Sequence, residues 1–356
     1  MMTQSADLEP GPQETKASTR LAAMCLGPET GGGFEIREFP RGRPAAGEIE
    51  VAVKAASVNS IDVRRAEGYG RRLLSLMGAS RFPMTLGNDF AGTIVAVGER
   101  VTAFAVGDHV YGVKPVSRDG SHASHVVVNA ARARKAPARS SAQDLAALPY
   151  GFITMWLAAR AAGLTRESAA GKKVLVHGAS GGLGTLALQT LSAWGARVTA
   201  IAKVSDFSAC REAGAVEVVD RTQNPFAGLR GVFDATLNFA TWDDEAALLS
   251  CLREGALGHA TTVHPLVQNF DEAGWVGGAI RTLNQKREMR KRLPKGVRNY
   301  AWVLFRPEAE ALSEMARLAE LGRLSLPIGT RTPLREAAEA FAHVRRRQAG
   351  RALLIP

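Results

Sequence analysis

The chain has 356 residues, 46% of them hydrophobic, which exceeds one ordinary domain and supplies apolar side chains for two. No apolar run approaches the ~18 residues of a spanning helix, and Cys25, Cys210 and Cys251 stand apart, excluding a disulfide framework or a cysteine metal site and predicting a reducing cytoplasm. The net charge of +11 fits either a nucleic-acid partner or an arginine-rich proteome with an anionic cofactor.

The first 19 residues, with Pro10, Pro12, Asp7, Glu9 and Glu14, have neither an apolar core nor an arginine-rich, acid-free character. They predict a disordered tail rather than a secretory or organellar signal. Short strands are expected over 21–26 and 34–39, around the turn Thr30-Gly31-Gly32-Gly33, and over the valine-rich 48–56. The stretch Val58-Asn59-Ser60-Ile61-Asp62 leads into a basic helical segment. Further strands are expected over 93–97, 106–112 and 120–128. Beyond Ala142 the rhythm changes to alternating strand and helix. Strands are predicted at 173–177, 197–201, 217–219, 232–237 and 260–264, with helices at 185–194, 206–213 and 245–252 between them. This is the βαβ rhythm of a doubly wound parallel sheet. A strand at 299–305, helices at 307–321 and 334–347, and a strand at 351–355 complete the chain.

The chemistry centres on residues 172–189. The apolar run Val174 to His177 reads as a buried strand, Gly178, Gly181, Gly182 and Gly184 as a turn, and Leu186, Ala187 and Leu191 as the start of a helix face. The spacing is Ala179-x-Gly181-x-x-Gly184, with Ser180, Gly182 and Leu183 between. Such a turn lets the backbone approach a dinucleotide pyrophosphate, and the helix N-terminus supplies free N–H groups and partial positive charge. A site for NAD places a carboxylate after the second strand. Here that position is Ala202, followed by Lys203 and then Ser205, so NADPH is the expected cofactor. The densest cationic run, 286–298, holds Lys286, Arg287, Arg290, Lys291, Arg292, Lys295 and Arg298 against Glu288 alone. It reads as a solvated face or as a seat for an anionic substrate or nucleic acid.

Together, Val58-Asn59-Ser60-Ile61-Asp62, Gly87-Asn88-Asp89-Phe90-Ala91-Gly92, Val106-Gly107-Asp108-His109-Val110, Leu148-Pro149-Tyr150 and the glycine turn resemble the medium-chain dehydrogenase/reductase superfamily, on its zinc-free quinone oxidoreductase branch. Gly68-Tyr69-Gly70, Ala193-Trp194 and Asn299-Tyr300-Ala301-Trp302 are similar to the reticulon-interacting mitochondrial oxidoreductase group, which is NADPH-dependent. The resemblance implies an α/β fold, a Rossmann doubly wound parallel sheet plus a GroES-like, partly open β-barrel. After the tail (1–19), the barrel would take 20–149 and 306–356 and the Rossmann domain 150–305. It also implies a homodimer joined near 299–305.

The resemblance further implies site roles. Asn59 would lie near the nicotinamide or substrate carbonyl, with Asp62 anchoring its loop. Tyr69 would donate a hydrogen bond or proton; where this chain departs from the family, after the fifth strand, His264 is a candidate acid by its position at the nicotinamide end and its titration range. Tyr150, Thr154, Asn238 and Val263 would line the nicotinamide or phosphate side, and Arg221 would join Lys203 at the 2′-phosphate. Zinc relatives need a cysteine in the 59–62 region and a histidine where Asn88 stands, so no metal is expected. The expected activity is NADPH-dependent, metal-free reduction of quinones or conjugated carbonyl compounds. An enoyl-thioester reductase and a nucleic-acid-binding or regulatory protein retaining the cofactor site are the alternatives. The tail, without transit character, is expected to fit a cytoplasmic protein.

Overall fold

A computed structural model describes residues 19–31, 33–138 and 140–356. The expected tail, up to residue 18, and Gly32 of the expected turn lie outside the described residues; Thr19 begins the first strand. In chain order the N-terminal elements are β1 Thr19–Cys25, β2 Phe34–Pro40, β3 Glu48–Val58, α1 Ser60–Ala66, β4 Met84–Thr85, β5 Asp89–Val97, β6 His109–Val113, β7 His125–Asn129, β8 Ala133–Lys135 and α2 Ala142–Ala146. Next come α3 Pro149–Ala161, β9 Lys173–His177, α4 Gly182–Ala193, β10 Arg197–Ala202, α5 Phe207–Glu212, β11 Glu217–Asp220, β12 Ala235–Asn238, α6 Glu245–Ser250, β13 Gly258–Thr261 and α7 Leu266–Lys291. The chain closes with β14 Asn299–Trp302, α8 Ala309–Glu320, β15 Ile328–Pro333, α9 Ala337–Arg345 and β16 Arg351–Ile355.

Two bodies result. A six-stranded sheet, in order β11-β10-β9-β12-β13-β14, is parallel throughout, as short apolar strands separated by helices dictate. The N-terminal strands form a mainly antiparallel, GroES-like barrel around β3, which pairs with β5, β7 and the returning β16. A small sheet, β2-β1-β4, flanks it. β16 pairs with β15 and β3, so the last strand of the chain lies inside the barrel.

α3 joins the bodies. Its start is set by Pro149 at the first helical position, where no N–H is needed. Nearly the whole helix is buried, and Phe152, Ile153 and Met155 are fully enclosed in a core that also takes Ala55, Ala91 and Tyr111 from the barrel. Burying each such large side chain contributes about 1.5–3 kcal/mol relative to exposure.

Several expected strands shift: 93–97 begins at Asp89, 106–112 at His109, and 299–305 ends at Trp302, while three others shift for clear reasons. Only His125–Asn129 of 120–128 is a strand. Before it, Gly120 packs so tightly that a Cβ would lie 2.1 Å from the Leu86 carbonyl oxygen, and Ser121 and His122 bond to the irregular 86–87 backbone. Val232 and Phe233 give their N–H groups to Cys251, so the next strand starts at Ala235. The 260–264 strand ends at Thr261 and leaves Val263 and His264 in a loop. The long helix α7 is not foreseen by periodicity, because Gly274, Gly277 and Gly278 interrupt a mostly polar and basic stretch. It bends at Gly274 (φ 71°, ψ −169°). No helix among the described residues is long and apolar enough to cross a membrane.

Candidate active site

The glycine turn sits where β9 ends and α4 begins. A Cβ on Gly184 would lie 2.2 Å from the Gly178 carbonyl oxygen and 2.5 Å from Ala179 Cα, so glycine alone allows the helix to close on the strand. Gly178 itself is left-handed (φ 79°) and packs against Ala240. Ala179, buried, replaces the first glycine of the usual fingerprint without strain, its N–H reaching the Ile201 carbonyl at 3.3 Å. Ser180 and Gly181 face solvent, and Gly182 and Leu183 are partly open. No side chain caps α4. Its first N–H groups and the positive end of its dipole are therefore presented outward, a cradle that fits a pyrophosphate.

The strands beside the turn bring the expected basic residues together. β10 and β11 pair in parallel with Ala202 opposite Asp220, and the Arg221 N–H bonds to the Ala202 carbonyl at 2.9 Å. Lys203, Ser205 and Arg221 are all exposed at this edge. The Ser205 hydroxyl meets the Asp206 carboxylate at 3.0 Å.

Across the turn lies a buried polar cluster from the barrel. Asp89 is fully enclosed. Its carboxylate accepts the Ser57 hydroxyl, the Asn59 Nδ2 at 2.8 Å and the Tyr150 backbone N–H. Arg351 on β16 donates through Nη2 to Asn59 Oδ1 at 2.5 Å and stands 3.9 Å from Asp89. Burial pushes the Asp89 carboxyl up to about 6, against the pull of Arg351 and the three hydrogen bonds. The Arg351 guanidinium also faces the cradle, since a Cβ on Gly182 would touch its Nη1 at 3.5 Å. Sequence reading missed Arg351. The only signal was an arginine opening the last strand, and its partners lie about 260 to 295 positions earlier.

This cluster changes the reading of Asn59. Its amide is enclosed and its hydrogen-bonding groups are engaged by Asp89, Ser57 and Arg351, so it holds Arg351 and Asp89 together. Asp62 is an anchor: it accepts the Asn59 N–H at 2.8 Å and the Gly87 N–H at 3.0 Å. The Tyr150 ring packs tilted against Phe305, centroids 4.4 Å apart, and the Thr154 hydroxyl donates back to the Tyr150 carbonyl at 2.7 Å.

On the other side of the cleft, β12 to β14 carry a buried network. Glu245 accepts from Asn238 Nδ2 at 2.9 Å and lies 3.1 Å from His259 Nε2. It also accepts the Tyr300 hydroxyl at 3.2 Å, which in turn accepts the Trp302 indole N–H at 2.8 Å. Asn238 is thereby committed: its Nδ2 also reaches the Thr241 carbonyl and its Oδ1 takes the Ala240 N–H. His264 stacks flat on Trp302 (5.0 Å, 7°) and gives its Nε2–H to the Val303 carbonyl at 3.1 Å. Burial lowers its pKa, so the ring is neutral and its buried Nδ1 is a lone pair, with no hydrogen-bond partner among the described residues. The Nε2 proton that the expected acid would give is engaged by the Val303 carbonyl. Val263, one residue earlier, is half-buried and bonds to Thr261 Oγ1 at 3.3 Å.

Tyr69 is half-buried under the Arg64 guanidinium, 3.5 Å from its ring centroid. Burial raises the phenol pKa, which keeps it protonated. The adjoining loop is tied across the cleft, with the Gly70 and Arg72 N–H groups donating to Asp271 of α7 at 2.6 and 3.0 Å. Asn88, at the position of the zinc histidine, is buried and donates to the Lys114 carbonyl at 2.9 Å. Among the described residues no group of three or more His, Cys, Asp or Glu side chains could hold a metal ion.

Comparison with known proteins agrees with this geometry. Residues 45–139 match the alcohol dehydrogenase GroES-like domain family, and residues 213–351 the zinc-binding dehydrogenase family. The chain is 33% identical over 314 residues to the mouse protein named NAD(P)H oxidoreductase RTN4IP1, mitochondrial, covering 84% of this chain and 79% of that one. It is 32% identical over 334 residues to the Caenorhabditis elegans protein named Reticulon-4-interacting protein 1, mitochondrial, covering 87% of each. The solved quinone oxidoreductase from Coxiella burnetii superposes with a TM-score of 0.75 over 95% of this chain and 99% of that one, and at 20% identity it shows the fold alone. The mitochondrial names of the mouse and worm relatives overturn the expectation of a cytoplasmic protein. With a cradle for a nicotinamide dinucleotide between a GroES-like and a Rossmann body, and relatives at this identity over this length, the chain belongs to the medium-chain dehydrogenase/reductase family as an oxidoreductase.

Proposed function

We propose that the protein is an NADPH-dependent, zinc-independent reductase of quinones or other conjugated carbonyl compounds. The observation that carries the cofactor choice is the edge beyond the glycine turn. There β10 and β11 end side by side, Ala202 stands where a ribose-binding carboxylate would, and Lys203, Ser205 and Arg221 are open to a 2′-phosphate. The N–H groups of Gly182 and Leu183 and the Arg351 guanidinium would hold the pyrophosphate. Bound there, the reduced nicotinamide supplies a hydride.

The chain's own residues bind, orient and handle the proton. In this reading the Tyr69 phenol, which burial keeps protonated, donates to a developing oxyanion. His264, held by Trp302 and the Val303 carbonyl, closes the nicotinamide end of the cleft. Asn59, Ser57 and Asp89 hold Arg351 at the cradle. Tyr150 with Phe305, and Val263, wall the site, and Thr154 and Asn238 keep that wall in place through their internal bonds. A donor and hydride suffice for a quinone or enone, so no metal-ligand set is needed.

The test is steady-state turnover of a quinone and enone panel, with crotonyl-CoA alongside, using NADPH and NADH. Lys203→Ala and Arg221→Ala are each expected to lower kcat/KM for NADPH about tenfold, the worth of one charge-assisted contact, with little change for NADH. Equal efficiency with both cofactors in the wild type overturns the cofactor choice. Preference for crotonyl-CoA over every quinone moves the substrate to enoyl thioesters.

The same reading includes a homodimer through β14. The N–H groups of Asn299 and Val303 bond to the β13 side, which leaves those of Tyr300 and Trp302 toward the sheet edge. Light scattering that reads a monomer at working concentration removes this part.

A further inference from the structure

The basic run singled out in the sequence is one half of a larger surface. Beyond its bend at Gly274, α7 has a covered side and an open side. Gly278 is buried, Thr282 and Gln285 bond to Asn269, and Met289 and Leu293 pack on Leu249, Leu252 and Tyr300. The open side carries Val276 (75% exposed), Ile280 (55%) and Leu283 (68%), one helical row at i, i+4 and i+7. The same row runs on through Arg287, Arg290 and Lys291, all exposed. Trp275 flanks its apolar end, 44% exposed. The neighbouring 3-10 turn Leu73–Met77, which packs against α7, adds Leu76 (73%) and Met77 (62%).

We propose that this surface docks the protein on an anionic phospholipid bilayer. Val276, Ile280, Leu283, Leu76 and Met77 enter the boundary between headgroups and acyl chains, and Arg287, Arg290 and Lys291 engage headgroup phosphates. Charge decides the occupant. A second copy crossing this row antiparallel would lay each basic half over the partner's apolar half, whereas a bilayer surface meets the apolar half with acyl chains and the cations with phosphate. Nucleic acid would use the cations but leaves the apolar half uncovered, and no stacking aromatic interrupts the basic run. From 276 to 291 the row extends about 22 Å, a length that lies along an interface rather than across it. Asp271 ties α7 to the loop carrying Tyr69, so docking sets the cleft mouth beside the bilayer, where an apolar substrate is held.

The experiment is co-sedimentation of the full chain with vesicles of phosphatidylcholine alone and of phosphatidylcholine mixed with phosphatidylglycerol. Binding is expected to the mixed vesicles, at least about tenfold weaker to the neutral ones, and weakening as salt rises. Ile280→Asp with Leu283→Asp is expected to lower binding at least about tenfold, and Arg287→Glu with Arg290→Glu to abolish the anionic preference. NADPH titration by fluorescence shows that each variant remains folded. The proposal is overturned by wild-type protein that ignores the mixed vesicles, or by binding that the apolar substitutions leave unchanged. It is also overturned if, without vesicle binding, those substitutions dissociate a dimer or the cationic ones release RNA.

Discussion

Asp89 is the residue on which the site's electrostatics turn. Fully buried, it accepts three hydrogen bonds and faces a guanidinium, yet burial still lifts its carboxyl from 3.8 to about 6. A shift of that size is worth about 3 kcal/mol. The sign follows from proton binding. Between the two values the folded chain holds a proton that the unfolded chain has released, so stability falls as pH rises through this window. The penalty is fully present above pH 6 and is relieved as pH falls toward 3.8. Asp89→Asn removes the titration and leaves Arg351 without its counter-charge, and is expected to destabilise by about 2–4 kcal/mol near neutrality. Urea unfolding of both proteins at about pH 7.5 and about pH 5 checks this. The gap between them should widen at the lower pH, because only the wild type gains from protonating Asp89. A gap that stays constant or narrows contradicts the assignment. His122, His177 and His264, whose pKa values burial lowers, charge in both proteins and largely cancel in the difference.

At the scale of elements, legibility followed how local the physics was. The glycine turn was readable because its demands lie within a few residues: Gly184 must clear Gly178, and α4 must start bare. Strands β9 and β10 were readable because each is a short, mostly apolar run, buried after its first residue. Helix α7 was hidden, since a helix that covers a cleft edge needs no continuous apolar stripe and three glycines break its pattern. The side-chain roles were the least readable. Asn59 and Asn238 look like free polar groups in sequence, and only partners about 300 and 7 positions away, Arg351 and Glu245, show that their amides are occupied. His264 looked like an acid until the Val303 carbonyl claimed its Nε2 proton.

At the scale of the whole molecule, Arg351 joins three parts that the chain order separates. It sits on β16, inserted beside β3 of the barrel, and its two ends face Asn59 and Ser57 on one side and the start of α4 on the other. One guanidinium thus links the closing strand, the barrel cluster and the cofactor turn, which lysine with a single ammonium does not reproduce. Arg351→Met is expected to destabilise by about 3–5 kcal/mol, because it leaves Asp89 buried and unpaired. It should also move the pH dependence of stability upward, since the Asp89 carboxyl then loses the cation that opposes its rise. The double variant Asp89→Asn with Arg351→Met removes both charges and should be more stable than the sum of the single effects predicts, by at least about 1 kcal/mol. NADPH titration separates the two jobs of the side chain. Arg351→Met and the double variant should both bind NADPH about tenfold more weakly, while Asp89→Asn alone keeps most of the affinity. Strict additivity in unfolding would show that Asp89 and Arg351 act independently, and unchanged NADPH affinity in Arg351→Met would confine the guanidinium to structure.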